Sequence, residues 1–215
     1  SYKVLLDINC SIKDGTFPSS QKLADVSPIF KKGDKLDKSN YRPVSILPAL
    51  SKVFERLLFK QINAYMDPKL SKYQCGFRKN MSAQNCLLVL LEKWRKCIDR
   101  KGYAGVLLTD LSKAFDCIQH DLLIAKLHAY GFDHNALCLI HSYLTKRFQR
   151  VRINSSYSTW IELIFGVPQG SILGPLVFNI DLCDFFFFCE DSDVASFADD
   201  NSPYACKMNA ASVIT

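Results

Sequence analysis

Two adjacent carboxylates, Asp199 and Asp200, close the short apolar run Val194 to Ala198, and polar Asn201-Ser202-Pro203 follows. An apolar run that stops on paired acids and a turn signal constrains this part of the chain to strand-turn-strand, with Tyr204-Ala205-Cys206 resuming on the return arm. Side chains alternate along a strand, but a tight turn relaxes that rule and can present both acids at one rim. Two carboxylates this close repel each other, and a divalent cation would satisfy them. A solvated loop pair fits the same residues, so both readings stand.

A second acid bears on the choice. Tyr103 to Thr109 is nearly continuous in apolar character, as in strands at the centre of a sheet, and it ends on Asp110. A buried carboxylate there needs a cation, or else it caps a helix starting near Ser112. Asp116 reads as tying down the local backbone. Earlier in the chain, residues 1–24 are weakly patterned, with turns at Lys13-Asp14-Gly15 and Pro18-Ser19-Ser20. Val26–Phe30 and Tyr41–Leu47 read as strands joined by the charged connector Lys31–Asn40. Arg42 precedes Pro43, a position biased to extended backbone, so a flap carrying Lys31 and Arg42 could close on a triphosphate. A solvated turn is the alternative.

Apolar spacing predicts helices over Ser51–Tyr65, ended by Pro68, and over Ser82–Arg100, with Leu87, Leu88, Leu90, Leu91 and Trp94 facing a core. Between them, Lys72–Lys79 mixes aromatic and basic residues, as loops that bind single-stranded nucleic acid do, although Phe77 could equally pack under the next helix. Two further helices are expected over Asp121–Gly131 and His134–Lys146, then an antiparallel pair over Phe148–Ile153 and Thr159–Phe165. In Gly166-Val167-Pro168-Gln169-Gly170-Ser171, the last two residues open a helix running toward Phe188, with bare backbone and free amides at its start. Phe178, Leu182 and the Phe185–Phe188 cluster read as core or subdomain interface.

Charge is divided unevenly. Residues 1–101 hold 20 Lys and Arg against 9 Asp and Glu, while residues 102–215 hold 7 against 12. A basic half joined to an acidic half carrying a candidate cation site suits a polyanion held beside metal ions, although a solvated basic surface has the same composition. The nine cysteines are odd in number, lack a C-x-x-C pair and mostly sit in apolar runs, which implies a reducing, intracellular setting rather than a disulfide framework or zinc site. The most apolar run, Ile172–Cys189, is interrupted by Gly174, Pro175, Asn179, Asp181 and Asp184 and is not a membrane span.

Taken together, Asp110-Leu-Ser-Lys-Ala-Phe115-Asp116, Gly166-Val-Pro-Gln-Gly-Ser-Ile-Leu-Gly-Pro175 and Phe197-Ala-Asp-Asp200 resemble the reverse transcriptase domain of non-long-terminal-repeat retrotransposons, the jockey-like LINE elements in particular. Pro28–Asp34, Asn40–Leu47 and Gln74–Lys79 are similar to that family's finger motifs. The resemblance implies an α+β right-hand polymerase: an N-terminal extension over 1–24, fingers over 25–100, and a truncated palm over 101–215 with an antiparallel sheet and packed helices. The thumb and endonuclease regions are expected to be missing. By the same resemblance, Asp110 and Asp199 hold two Mg²⁺ ions (Mn²⁺ being a possible substitute), the Leu111 carbonyl completes one shell, and Asp200 is the supporting third acid. Phe115 excludes a ribose 2′-hydroxyl, Lys31 and Arg42 grip the triphosphate, and Gln169-Gly170 contact the template base and nucleotide.

Phe197 stands where the family box usually begins with Tyr, which loses a hydroxyl but no metal ligand. The implied partners are an RNA template, a DNA primer and deoxynucleoside triphosphates, in the nucleus or cytoplasm. The implied activity is RNA-directed DNA synthesis. A non-catalytic nucleic-acid-binding remnant is the competing expectation.

Overall fold

The computed structural model describes residues 2–111, 113–189 and 192–208, with backbone alone at 2–5 and 110. In chain order it holds α1 (Tyr2–Lys13), β1 (Leu23–Phe30), β2 (Tyr41–Ile46), α2 (Ala49–Met66) and α3 (Ala83–Asp99). Then come β3 (Tyr103–Val106), β4 (Thr109–Asp110), α4 (His120–Ala129), α5 (His134–Leu144) and β5 (Arg147–Ile153). The order ends with β6 (Ser156–Tyr157), β7 (Ile161–Leu163), α6 (Gly174–Asp181), β8 (Asp193–Phe197) and β9 (Asp200–Lys207). These fall into two compact units, Ser1–Asn63 with Phe115–Phe178, and Ala64–Ala114 with Asn179–Thr215.

The first unit is built on a mixed sheet. β1 pairs antiparallel with β2, from Asp25 opposite Ile46 to Phe30 opposite Tyr41, and parallel with β5. β6 and β7 both run antiparallel to β5. Alternation along β1 buries Ala24 and Val26, as period two requires. The expected β1–β2 hairpin with its 31–40 connector is present, and Lys31 N–H closes it by donating to the Asn40 carbonyl at 2.8 Å.

Residues 2–13, expected to be weakly patterned, form α1. Gly15, at φ +61°, ends the segment and lies against Asn135 and Cys138 of α5. The core beneath is aromatic: Phe17 stacks on Phe54 at 4.9 Å and meets Tyr143 edge-on at 5.2 Å.

In the second unit β9 is central. β8 lies along one edge, and β3 and β4 follow each other along the opposite edge. This corrects the expectation that Tyr103–Asp110 is one buried central strand. Among the described residues β3 and β4 pair with β9 alone, and Leu108, in the break between them, is 77% exposed. α3 begins where expected, with Ser82 Oγ accepting the Asn85 amide as N-cap. Its leucine stripe does not form a core. Only Leu90 of α3 is buried among the described residues, and Leu87, Leu88 and Leu91 are exposed. Phe187 and Phe188 are also exposed rather than packed. Among the described residues no helix is long and apolar enough to cross a membrane.

Phe54 is 2% exposed and stacked on Phe17, so Phe54→Ala should cost about 3–5 kcal/mol through lost transfer energy and a residual cavity. The measurement is the urea midpoint at unchanged slope. A loss under about 1 kcal/mol would show that this ring is not core.

Candidate active site

The paired acids sit where the sequence puts them, at the tip of the β8–β9 hairpin. Phe197 pairs with Asp200, leaving Ala198 and Asp199 as a two-residue connection. Ala198 takes a left-handed conformation, φ +59°, and is buried, whereas Asp199 and Asp200 are exposed. A two-residue hairpin favours such a backbone because it matches the twist of its strands. Two contacts hold the tip. The buried Asn201 side chain donates to the Asp199 carbonyl at 3.2 Å, and Thr109 Oγ1 donates to the Asn201 carbonyl at 2.7 Å. Neither Asp199 nor Asp200 forms an ion pair among the described residues.

The β4–β9 register sets Thr109 opposite Asn201 and Asp110 opposite Asp200. Directly opposed residues of an antiparallel pair have Cα atoms about 4.5–5.5 Å apart. Two distant stretches of sequence are thus juxtaposed by backbone pairing alone. The side chain of Asp110 lies outside the described residues, as does Ser112, the expected start of a helix. A single 3₁₀ turn, Ala114–Asp116, follows. Leu111, whose carbonyl was expected to join the metal shell, comes directly after β4 and is exposed.

Segment 73–76 lies against this hairpin. Cys75 N–H donates to the Ser196 carbonyl at 2.9 Å, and Ser196 N–H donates to the Tyr73 carbonyl at 3.3 Å. A Cβ on Gly76 would stand 2.2 Å from the Ala198 nitrogen, so this position admits glycine only. The Gln74 and Asn179 side chains reinforce the segment, donating to the Asn179 and Gly76 carbonyls at 2.8 and 2.9 Å.

Arg78, considered above as a nucleic-acid contact, has its guanidinium spent internally. Nε donates to Asp67 at 2.9 Å, and the two terminal nitrogens reach the carbonyls of Asp67, Ser71 and Gln74. Arg78 therefore braces the loop behind the acidic turn, while Lys72, Phe77 and Lys79 of the same loop are exposed. Gly76 lies in the quoted Gln74–Lys79 motif, but nothing local marks its partner.

The remaining candidates lie in the first unit. Phe115 stacks on Phe178 with ring centroids 5.1 Å apart and 21° between planes. Its carbonyl accepts Val167 N–H at 2.9 Å, and a Cβ on Gly166 would lie 2.5 Å from that carbonyl oxygen. Gln169 Nε2 donates to Asp116 at 3.2 Å, and the Gln169 carbonyl accepts Ser45 N–H of β2 at 2.7 Å. Gly170, at φ +110°, is exposed and passes beside the Ser45 carbonyl.

Phe115, Gln169 and Gly170 thus share one neighbourhood with β2. Arg42 is exposed three residues before Ser45, and Lys31 is exposed just beyond β1. The helix expected to open at Gly170-Ser171 opens instead at Gly174, because Ser171 N–H turns back to the Pro168 carbonyl and Ser171 Oγ accepts Gly174 N–H at 3.0 Å. The Ile172 and Leu173 amides, expected to be free, are taken by Glu55 of α2.

The family described as reverse transcriptase (RNA-dependent DNA polymerase) matches residues 29–212. Relatives in Drosophila melanogaster include the probable RNA-directed DNA polymerase from transposon BS, 34% identical over 82% of this chain and 20% of the relative. The corresponding protein from transposon X-element is 35% identical over 81% and 20%. The RNA-directed DNA polymerase from mobile element jockey is 30% identical over 92% and 22%. The chain therefore spans about one fifth of the length of these curated relatives. Among solved structures, the fold is similar to telomerase from Candida tropicalis, with a TM-score of 0.63 over 93% of this chain and 38% of that one, at 11% identity.

A polar clasp anchors the entry to the hairpin. Asp193, the first residue of β8, accepts from Lys93 Nζ at 2.5 Å and from the Tyr73 hydroxyl at 2.7 Å. Burial alone would raise the Asp193 pKa, but the hydrogen bonds from Lys93 and Tyr73 outweigh it and hold the carboxyl below its ordinary 3.8. A pKa depressed on folding stabilises the fold above the unfolded value, and that contribution disappears as pH falls through the folded value. Asp193→Asn should therefore flatten the loss of stability below about pH 4, read by chemical denaturation across pH. Parallel acid limbs in both proteins would contradict this.

Proposed function

The chain belongs to the reverse transcriptase (RNA-dependent DNA polymerase) family, and we propose that it carries the catalytic portion of an RNA-directed DNA polymerase of the non-long-terminal-repeat retrotransposon class. The observation that carries this reading is the β4–β9 register, which brings the position of Asp110 opposite the exposed Asp199-Asp200 hairpin tip. The donor set fits the ions implied. Carboxylate and carbonyl oxygens are hard ligands suited to Mg²⁺ and Mn²⁺, and the turn holds no soft ligand that would select another metal.

In this reading Asp110, Asp199 and the Leu111 carbonyl hold two Mg²⁺ ions, and Asp200 supports them. When bound, such ions neutralise charge on the attacking and leaving oxygens of an in-line displacement at phosphorus. The chain's own residues do the rest. Gly76 and Asn201 keep the acidic turn in one conformation. Phe115, braced on Phe178, presents a rigid edge to the sugar and excludes a 2′-hydroxyl. Gln169, oriented by Asp116, and the bare backbone of Gly170 meet the template base and nucleotide, and Lys31 and Arg42 meet the triphosphate. Fingers over 25–100 and palm over 101–215 belong to the same proposal. So do an RNA template, a DNA primer and deoxynucleotides as partners, and a reducing intracellular compartment for the free thiols.

The test is extension of a DNA primer on an RNA template with Mg²⁺ or Mn²⁺. Charge stabilisation by the metals is worth several kcal/mol, so Asp199→Asn should lower the rate about a thousandfold. Salt-sensitive binding of the primed template with no synthesis by a folded chain would overturn the reading in favour of a non-catalytic nucleic-acid-binding remnant. Phe115→Ala should raise ribonucleotide use relative to deoxynucleotide use by about tenfold or more, measured as the ratio of kcat/KM values. An unchanged ratio would remove Phe115 from sugar selection.

A further inference from the structure

We infer that Glu55 is a positioning residue that sets the backbone of the Gly170–Leu173 segment, which begins at the glycine proposed above to meet the incoming nucleotide. The inference rests on that reading of the segment. Glu55 lies on α2 and is fully buried. One carboxylate oxygen accepts the Ser51 hydroxyl, one turn earlier, at 3.0 Å. The other accepts Ile172 N–H at 2.7 Å, Leu173 N–H at 3.2 Å and the Tyr143 hydroxyl at 3.3 Å. Four donors converge on one carboxylate, which is how a buried anion is made tolerable.

An inventory of the amides shows what this achieves. Ser171 N–H goes to the Pro168 carbonyl, Ile172 and Leu173 go to Glu55, and Gly174 goes to Ser171 Oγ. The amides of Ser171, Ile172, Leu173 and Gly174, the run that leads into α6, are thus all held. On the other side, the Gln169 carbonyl is held by Ser45 of β2. Gly170 therefore hangs between two fixed points, with Glu55 supplying one of them.

The Tyr143 donor is itself fixed. Burial, and then the Glu55 charge, push its hydroxyl pKa upward and keep it protonated, while its ring is packed by Phe17 and by the buried Arg147 guanidinium. The first amide of α6, Gly174 N–H, is taken by Ser171 Oγ and not by Glu55. What the carboxylate adds is one conformation of the segment before the cap, the kind of specificity that a buried charge can confer.

The test compares Glu55→Ala, Glu55→Gln and Tyr143→Phe with the unmodified 215-residue chain in two measurements. In the first, hydrogen exchange is followed over residues 168–176. Loss of hydrogen bonds to a charged group should speed exchange at Ile172 and Leu173 by about tenfold or more in Glu55→Ala. β1–β2 and β8–β9 should be unchanged, and Glu55→Gln and Tyr143→Phe should have smaller effects. In the second, primer extension should show KM for the nucleotide raised by about tenfold with kcat and primer-template affinity little altered.

Unchanged exchange at Ile172 and Leu173 overturns the inference. So does faster exchange throughout the first unit, or a loss of active fraction at constant KM, since either marks a merely structural role. If exchange responds as expected but the unmodified chain does not extend a primer, the pinning stands and the polymerase reading falls.

Discussion

Between Gly76 and the turn at Ala198 there is no room for a methyl group, and the second unit is arranged around that contact. The close approach lets the 73–76 backbone trade hydrogen bonds with Ser196, and it confines Ala198 to a left-handed conformation that few residues adopt cheaply. With Ala198 buried, Asp199 and Asp200 are exposed at the tip. Further bonds hold the surroundings: Arg78 ties the loop to Asp67, and at the end of β8 away from the tip Lys93 and Tyr73 hold Asp193. The exposed acids are thus mounted on a turn with little freedom, as a site must be if it is to hold ions in fixed positions.

The first unit uses glycine in the same way. Gly166 passes against the Phe115 carbonyl and Gly170 against that of Ser45. Read in the sequence, Gly170 with Ser171 offers bare backbone to a ligand. In the fold, Gly166 is fully occupied by protein backbone, and Gly170 is the one of the two that remains exposed. The separation matters because backbone already in contact with protein cannot also receive a base. Phe115 is fixed twice, through its carbonyl by Val167 and through its ring by Phe178.

Apolar pattern misled at two places. The leucines of α3 recur at helical spacing and the helix is real, yet Leu88 is 65% exposed. Tyr103–Thr109 has the composition of a central strand, yet it runs along an edge with β9 as its only strand partner among those described. Periodicity reports which side chains share a face, not whether anything covers it. The opposite error occurred at α1, read as weakly patterned, which is a helix bonded to α5, a partner more than a hundred residues away.

What the sequence by itself determined was local: the strand-turn-strand around Asp199-Asp200, the β1–β2 hairpin with Lys31 and Arg42 at its ends, and the helices over Ala49–Met66 and Ala83–Asp99. Each follows from turn chemistry or periodicity within a few residues. Only the tertiary structure decided that Asp110 stands opposite Asp200, that Gly76 meets Ala198, and that Glu55 takes amides 117 and 118 residues away. Register and burial are set by which surfaces meet, and no window of neighbouring residues contains both surfaces. A glutamate inside an amphipathic helix looks the same whether it faces water or closes a loop. The difference is made by the donors that folding brings to it.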